Sequence, residues 1–587
     1  MGATRAGTSR TLSGMDDPNI VRKVALWTGG HGGYKTYRIP ALVVTTKGTV
    51  LAFCEGRRTG GGDSGAIEIL LRRSTDNGAS WGEQKVVWAD AGNTCGNPSP
   101  VVDQQTGAIW LLLTWNRGDD KEPQIIAQTS KDTRRVFVTS SVDDGSTWAT
   151  PREITADVKL SEWTWYATGP GAGIQLGKSE RLMIPCDHIE AKTKRYFSHV
   201  IYSDDHGASW KLGGTTPRDQ VNECEVVERS DGALLLNMRS YDPASRARQV
   251  AESKDGGLTW SDQRPDFSLI EPICQASIRR ADTKTIVFSN PASREGRKNL
   301  TVRASSDEGK TWERRLTLHA GPSAYSDLAS LRKNTLACLY ECGEKGAYET
   351  ITLARFALKD LPRVPTLFLA GDSTMAEKLP EKRPETGWGE GLRLFVDESK
   401  LRIENHAVNG RSTKSFLAEK RWEALLARVQ NGDWVFIQFG HNDQPKEKTG
   451  SYTPPEDYKA NLTRFVSDVR KRGANPVLLT PVMRRRFDAQ GQFYDTHGAY
   501  PDLVREVATA TKTPLIDHHR LSEKALRALG AEPSRKLFLQ LKPDENPHYP
   551  KGVEDNTHFN TEGARAMAAL VVEALRESKL ALTEALL

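Results

Sequence analysis

STDNGASW occupies residues 74–81 and returns four times along the chain, as SVDDGSTW (141–148), SDDHGASW (203–210), SKDGGLTW (253–260) and SSDEGKTW (305–312). The shared frame, Ser-x-Asp-x-Gly-x-Ser/Thr-Trp, reads as a hairpin turn. Its Asp folds back on backbone N–H groups, its Gly takes a positive φ, and its Trp anchors the turn in the core. Short apolar stretches such as AIEILLRR, VFVTS, SHVIY and LTVRA precede the copies. Consecutive trailing tryptophans stand 67, 62, 50 and 52 residues apart. That spacing is about one four-stranded sheet per copy, which predicts a β-propeller. Five copies fit six blades if one blade lacks the turn. The repeat aspartates close hairpins, so the chemistry is expected elsewhere.

The rhythm changes near Pro362. From Thr366 on, apolar strands alternate with helix-length segments: TLFLAGDS, then RWEALLARVQNGDWVFIQFGHND, then YKANLTRFVSDVRKRGANPVLLTPV, and last the amphipathic EGARAMAALVVEALRES. Alternating strand and helix predicts a parallel sheet covered on both faces. The chain of 587 residues is long enough for more than one domain. It divides into a tail (1–19), a propeller (20–361) and an α/β/α domain (362–587). All seven cysteines precede Pro362, none forms a CxxC pair, and they read as buried free thiols.

The totals exclude some classes. The charge of +6 comes from 81 basic and 75 acidic residues spread along the chain. This is too diffuse for a nucleic-acid partner, although a mild positive bias suits an anionic substrate. No window approaches the ~20 apolar residues of a membrane helix. The opening stretch MGATRAGTSRTLSGMDD lacks an apolar core and is not a secretory signal as it stands.

The repeats, together with YRIPALV at 37–43, resemble the Asp-box sialidases (neuraminidases), a family of six-bladed propellers, over roughly residues 20–360. The resemblance implies three arginines that grip the sialic acid carboxylate through planar two-point forks. They match Arg38 in YRIP, Arg239 in LLLNMRSY and Arg297 in ASREGRKNLTVR, with Arg294 and Arg303 as competitors for the third place. The resemblance also implies a tyrosine nucleophile, Tyr325 in GPSAYSDLA, because an anionic nucleophile would be repelled by the substrate's own carboxylate. Its partner base matches Glu223, with Glu225 as the rival on the same strand. The general acid matches Asp63 on the Gly-rich loop EGRRTGGGDSG, and Arg57 matches a further substrate-side arginine, beside Arg58.

The second domain carries four blocks in order: GDSTM (371–375), NGRST (409–413), FGHND (439–443) and DNTHFN (555–560). They resemble the SGNH (GDSL-like) hydrolases, whose sheet is flavodoxin-like, and within them the rhamnogalacturonan acetylesterase-like branch. The resemblance implies Ser373 as nucleophile, His558 as its base and Asp555 as support for His558. The oxyanion hole would come from the N–H groups of Ser373 and Gly410 and the side-chain amide of Asn442. His441 reads as structural, and His406, His518 and His519 have no motif behind them. No metal or cofactor is expected.

Together these resemblances imply a bifunctional enzyme, an exo-α-sialidase of retaining mechanism joined to a serine O-acetylesterase. Its partners would be sialylated glycans or glycoconjugates, with O-acetylated sialic acid as the ester substrate. Such substrates favour a secreted or periplasmic location. The alternative is a pectin- or xylan-type acetylesterase that carries an inactive, sugar-binding propeller.

Overall fold

A computed structural model of the chain describes residues 21–242, 245–397 and 400–587, so the expected tail at 1–19 lies outside the described residues. The chain forms two compact units, Met1–Arg363 and Val364–Leu587.

The first unit is β-rich. Each octapeptide begins at the end of a strand and turns the chain back. In the first copy, Asp76 Oδ1 accepts from the N–H groups of Ala79 (3.0 Å) and Ser80 (2.8 Å), while the Ser80 hydroxyl donates to Oδ2 (2.6 Å). Gly78 has φ +76°, a conformation that L side chains rarely adopt. Trp210, Trp260 and Trp312 are buried, whereas Trp81 and Trp148 are half-buried. All seven cysteines are buried and free.

The strands form antiparallel meanders. Val221–Glu228, Leu234–Ser240, Ala247–Ser253 and Arg264–Ile270 make one four-stranded sheet in chain order. The 17-residue strand Arg314–Ser330 serves two meanders. Its first half pairs with Lys298–Ser305 and its second with Thr335–Cys342. The earliest strand, Arg22–Thr28, pairs with the latest of the unit, Thr350–Ala357, which ties the two ends of this unit together.

Polar side chains join the inner strands of successive meanders. Asp327 accepts from the N–H of Leu42 (2.6 Å) and from the Ser277 hydroxyl (3.1 Å). Glu225 accepts from the same hydroxyl (2.9 Å) and from the Ile278 N–H (2.9 Å). Both carboxyls are fully buried, and burial pushes both above the usual carboxylate range.

The second unit is α/β. The five strands of its larger sheet lie in the order Arg402–Asn405, Thr366–Gly371, Trp434–Gln438, Asn475–Leu479, Leu515–Ile516, with every neighbouring pair parallel, and Phe538–Leu541 pairs antiparallel with Val553–Phe559 in a separate two-stranded sheet. Alternate residues of Thr366–Gly371 enter different cores, as the period of two in a strand requires. Leu367 and Leu369 pack with Trp388, Met567 and Val571, whereas Phe368 and Ala370 pack with Trp422, Leu462 and Phe465. A strand buried on both sides favours apolar residues at successive positions, which is why Leu367–Ala370 reads as an unbroken apolar run. The motif blocks GDSTM and FGHND begin at or just past the carboxyl ends of two adjacent strands, at Gly371 and after Gln438.

Candidate functional sites

Tyr325 organises the first site. It lies in the second half of the bent strand Arg314–Ser330 and is buried. Its hydroxyl donates to Glu223 Oε1 and accepts from Arg239 Nη1 at 3.1 Å. Arg239 Nη1 also meets Glu223 Oε2 at 2.6 Å. The guanidinium carbons of Arg38 and Arg297 stand 5.1 and 5.5 Å from the Tyr325 ring centre. One phenol, one carboxylate and three guanidinium groups from distant parts of the chain therefore converge. Burial, and next the Glu223 carboxylate, push the Tyr325 phenol well above its ordinary value, while the three arginines act against that rise.

The competitors lie elsewhere. Arg294 is exposed, and its carbonyl accepts from Arg246. Arg303 is buried and donates to Asn290 at 3.1 Å. Glu225 is occupied by Ser277 and Ile278. A break in pairing register between Val221 and Cys224 lies where Glu223 sits, so its strand is irregular there and sequence alternation alone could not separate the two glutamates.

Asp63 and Arg57 form a second cluster. Arg57 is buried and fully engaged. Its Nε and Nη2 donate to Glu55 Oε2 at 2.9 and 2.6 Å, and its Nη1 donates to the Gly61 (2.6 Å) and Gly62 (3.0 Å) carbonyls. The same Nη1 pairs with Asp63 Oδ1 at 2.8 Å, leaving the Asp63 side chain 59% exposed. Burial works to raise the Asp63 carboxyl, but Arg57, then Arg38 and Arg134, outweigh it and hold it below the usual carboxylate range. The neighbouring Arg58 lies just past the end of the strand Val50–Arg57 and instead faces Glu68 at 2.5 Å.

Two residues in this site have no sequence signal. Buried Glu341 accepts from Arg38 Nε (2.7 Å), Ile39 N–H (2.9 Å) and Tyr325 N–H (3.1 Å). Tyr348 stacks on Arg38, 4.2 Å from guanidinium carbon to ring centre, and its hydroxyl accepts from Arg297 Nη1 at 2.8 Å. Neither belongs to a recognisable motif. Only their partners 303 and 51 residues away give them meaning.

The second unit assembles a hydrogen-bonded series. Ser373 Oγ lies 2.8 Å from His558 Nε2, and His558 Nδ1 lies 2.6 Å from Asp555 Oδ2. Asp555 and His558 share the strand Val553–Phe559 rather than the turn that their three-residue spacing suggests. Asp555 Oδ1 also accepts from the N–H groups of Thr557 (2.7 Å) and His558 (3.0 Å). Burial opposes its charge, but the His558 imidazole and these backbone donors hold it at about 2. Gly410 has φ +76°, and nothing stands within 4 Å of where a Cβ would lie, so the turn is open there. Asn442 Nδ2 donates to the Arg411 carbonyl at 3.1 Å. Asp443 accepts from Thr413 N–H (2.9 Å) and hydroxyl (2.6 Å), and burial pushes its carboxyl up to about 7. His441 Nε2 donates to the Val482 carbonyl at 2.8 Å; since a carbonyl only accepts, Nε2 carries the proton.

A BNR repeat-like domain model matches residues 48–338, and a GDSL-like lipase/acylhydrolase family model matches residues 369–566. Rhamnogalacturonan acetylesterase RhgT of Bacillus subtilis is 41% identical over 37% of this chain and 92% of its own length. The sialidase of Micromonospora viridifaciens is 35% identical over 56% of this chain, which spans 53% of that relative. Human sialidase-3 is 31% identical over 59% of this chain and 94% of its own length. Among solved structures, the Hadza microbial sialidase Hz136 superposes with a TM-score of 0.52 at 29% identity, covering 58% of this chain and 69% of that one. By its first unit the chain therefore belongs to the sialidase family, and by its second to the GDSL-like acylhydrolases.

Proposed function

We propose that this chain is a glycan-degrading hydrolase with two activities, exo-α-sialidase in residues 20–361 and serine O-acetylesterase in residues 362–587. The first unit is read as a six-bladed propeller. Supporting this are meanders of about four strands each and the pairing of Arg22–Thr28 with Thr350–Ala357. The second unit is read as a flavodoxin-like α/β/α sandwich, in keeping with its strand order.

The observation that carries the sialidase reading is the Tyr325 hydroxyl donating to Glu223 inside a ring of three arginines. Arg38, Arg239 and Arg297 bind the sialic acid carboxylate. Glu223 takes the phenol proton as Tyr325 attacks the anomeric carbon, and Asp63 protonates the leaving oxygen. Water then releases sialic acid with retained configuration. Asp63 is ion-paired to Arg57 before substrate arrives, so binding must loosen that pair for Asp63 to take up a proton.

In the second unit, His558 removes the Ser373 proton, and Asp555 holds the imidazole in the tautomer that can accept it. The substrate is proposed to be the O-acetyl group of acetylated sialic acid. An esterase on the same chain would then unblock sugars for the sialidase at high local concentration. The 41% identity to RhgT favours a second reading, in which the acetylated alcohol belongs to a pectin-type sugar.

Acetylated and unacetylated sialosides separate these readings. Wild type should release both sialic acid and acetate. Tyr325→Phe should lose sialic acid release alone, and Ser373→Ala should lose acetate release while leaving sialic acid release from the unacetylated sialoside intact. A wild type that leaves every sialoside intact would make the propeller a binding module. Acetate released only from pectin-type sugars would move the esterase to the second reading.

A further inference from the structure

Lys378 follows the nucleophile by five residues, and its side chain is 1% exposed. Its ammonium has three donors, and three oxygens surround it. They are the Ser373 carbonyl at 2.6 Å, Asn409 Oδ1 at 2.8 Å and Glu385 Oε1 at 2.8 Å. A buried ammonium is costly unless its charge is paired and its protons are all placed, and both conditions are met here. Only Glu385 is needed to neutralise the charge. The other two bonds reach the nucleophile residue and the residue just before Gly410.

That choice of partners matters because the backbone bonds of the Gly410 turn, Val408 N–H to Gly371 O (3.0 Å) and Arg411 N–H to Val408 O (3.3 Å), lie at its base and leave the Asn409 side chain to Lys378. Asn409 and Gly410 are both exposed. Gly410 carries no side chain, and nothing stands within 4 Å of where a Cβ would be. The turn is tied on its far side by the Arg411 carbonyl, which accepts from Asn442 Nδ2 at 3.1 Å. On its near side it is tied by Lys378. The segments bearing the three proposed oxyanion donors, Ser373, Gly410 and Asn442, are thus linked in series; between the first two, the Val408 N–H donates to the Gly371 carbonyl at 3.0 Å, and the ammonium adds a side-chain link that reaches Ser373 and Asn409 themselves.

We propose that Lys378 is a positioning residue for acyl transfer, which fixes the Gly410 turn against the Ser373 turn so that the donors are set before the substrate arrives. This rests on the esterase reading of the second unit. The effect belongs to the transition state, because preset donors serve the tetrahedral oxyanion rather than the bound ester. A purely structural Lys378 would instead change stability and leave the turnover of folded protein unchanged.

The test uses the full chain, 4-nitrophenyl acetate as the ester probe and a fluorophosphonate as the serine probe. Lys378→Met should lower kcat about ten- to a hundredfold, the scale of a small misplacement of reacting groups, with KM nearly unchanged. Fluorophosphonate labelling of Ser373 should slow in parallel, since phosphonylation needs the same donors. Asn409→Leu cuts the same tether at an exposed position, so it answers the question even if Lys378→Met does not fold. Asn409→Asp, which keeps an oxygen for the ammonium, should recover most of what Asn409→Leu loses. Wild-type kcat and labelling in folded Asn409→Leu or Lys378→Met, with only the melting temperature lowered, would overturn the proposal. Ser373→Ala separates the two layers. If that variant still releases acetate and labels, the esterase reading itself fails; if it is inert while Lys378→Met is fully active, only the role of Lys378 fails.

Discussion

Replacing Glu341 with Gln should damage the sialidase without touching any residue of the family motifs. Glu341 is fully buried, and the Arg38 side chain is 8% exposed, so their contact at 2.7 Å is shielded from water. Glu341 also receives the N–H groups of Ile39 and Tyr325, which places the proposed nucleophile and the first arginine on one carboxylate. Glutamine keeps the shape and one acceptor oxygen but removes the charge. A hydrogen bond to a charged group is worth about 1.5–3 kcal/mol. If that orientation energy is used in the transition state, kcat/KM for a fluorogenic sialoside should fall on the order of ten- to a hundredfold at about 1.4 kcal/mol per tenfold. Acetate release by the second unit should be unchanged in the same sample and serves as the internal control. The melting temperature separates lost protein from lost rate. A folded Glu341→Gln protein with wild-type kcat/KM would refute the claim that Glu341 holds Arg38 in its working position.

Two further outcomes follow from the titrating groups. Asp63→Asn should slow release from sialyl-lactose about a hundred- to ten-thousandfold but spare an aryl sialoside, whose leaving group needs little protonation; equal losses on both would remove Asp63 as the acid. Asp443 has a carboxyl raised by burial to about 7, so its contribution to stability is full below about pH 4, declines up to about pH 7 and is gone above it. Thermal melting between pH 5 and 8 should show that decline, and Asp443→Asn should flatten it. A wild-type profile that rises over this range would contradict the buried, protonated state.

Much of this molecule is written locally. The octapeptide turns need only an Asp, a Gly at positive φ and nearby backbone N–H groups, all within eight residues, so five copies are legible wherever they occur. The double-faced strand Thr366–Gly371 is legible for the same reason, since its apolar run reflects burial on both sides. Motif blocks named Ser373, His558 and Arg38 because their neighbours in sequence are distinctive. What the chain order could not decide were choices between near neighbours and contacts across hundreds of residues. Arg57 and Arg58 are adjacent in sequence, but Arg57 closes a strand and reaches Asp63 while Arg58 lies just past it and reaches Glu68, and Glu223 and Glu225 lie beside a break in register. Glu341, Tyr348 and Lys378 carry no motif, because a charge in the interior is defined by what surrounds it. Those surroundings come from separate strands and turns, and they exist only after the chain has folded.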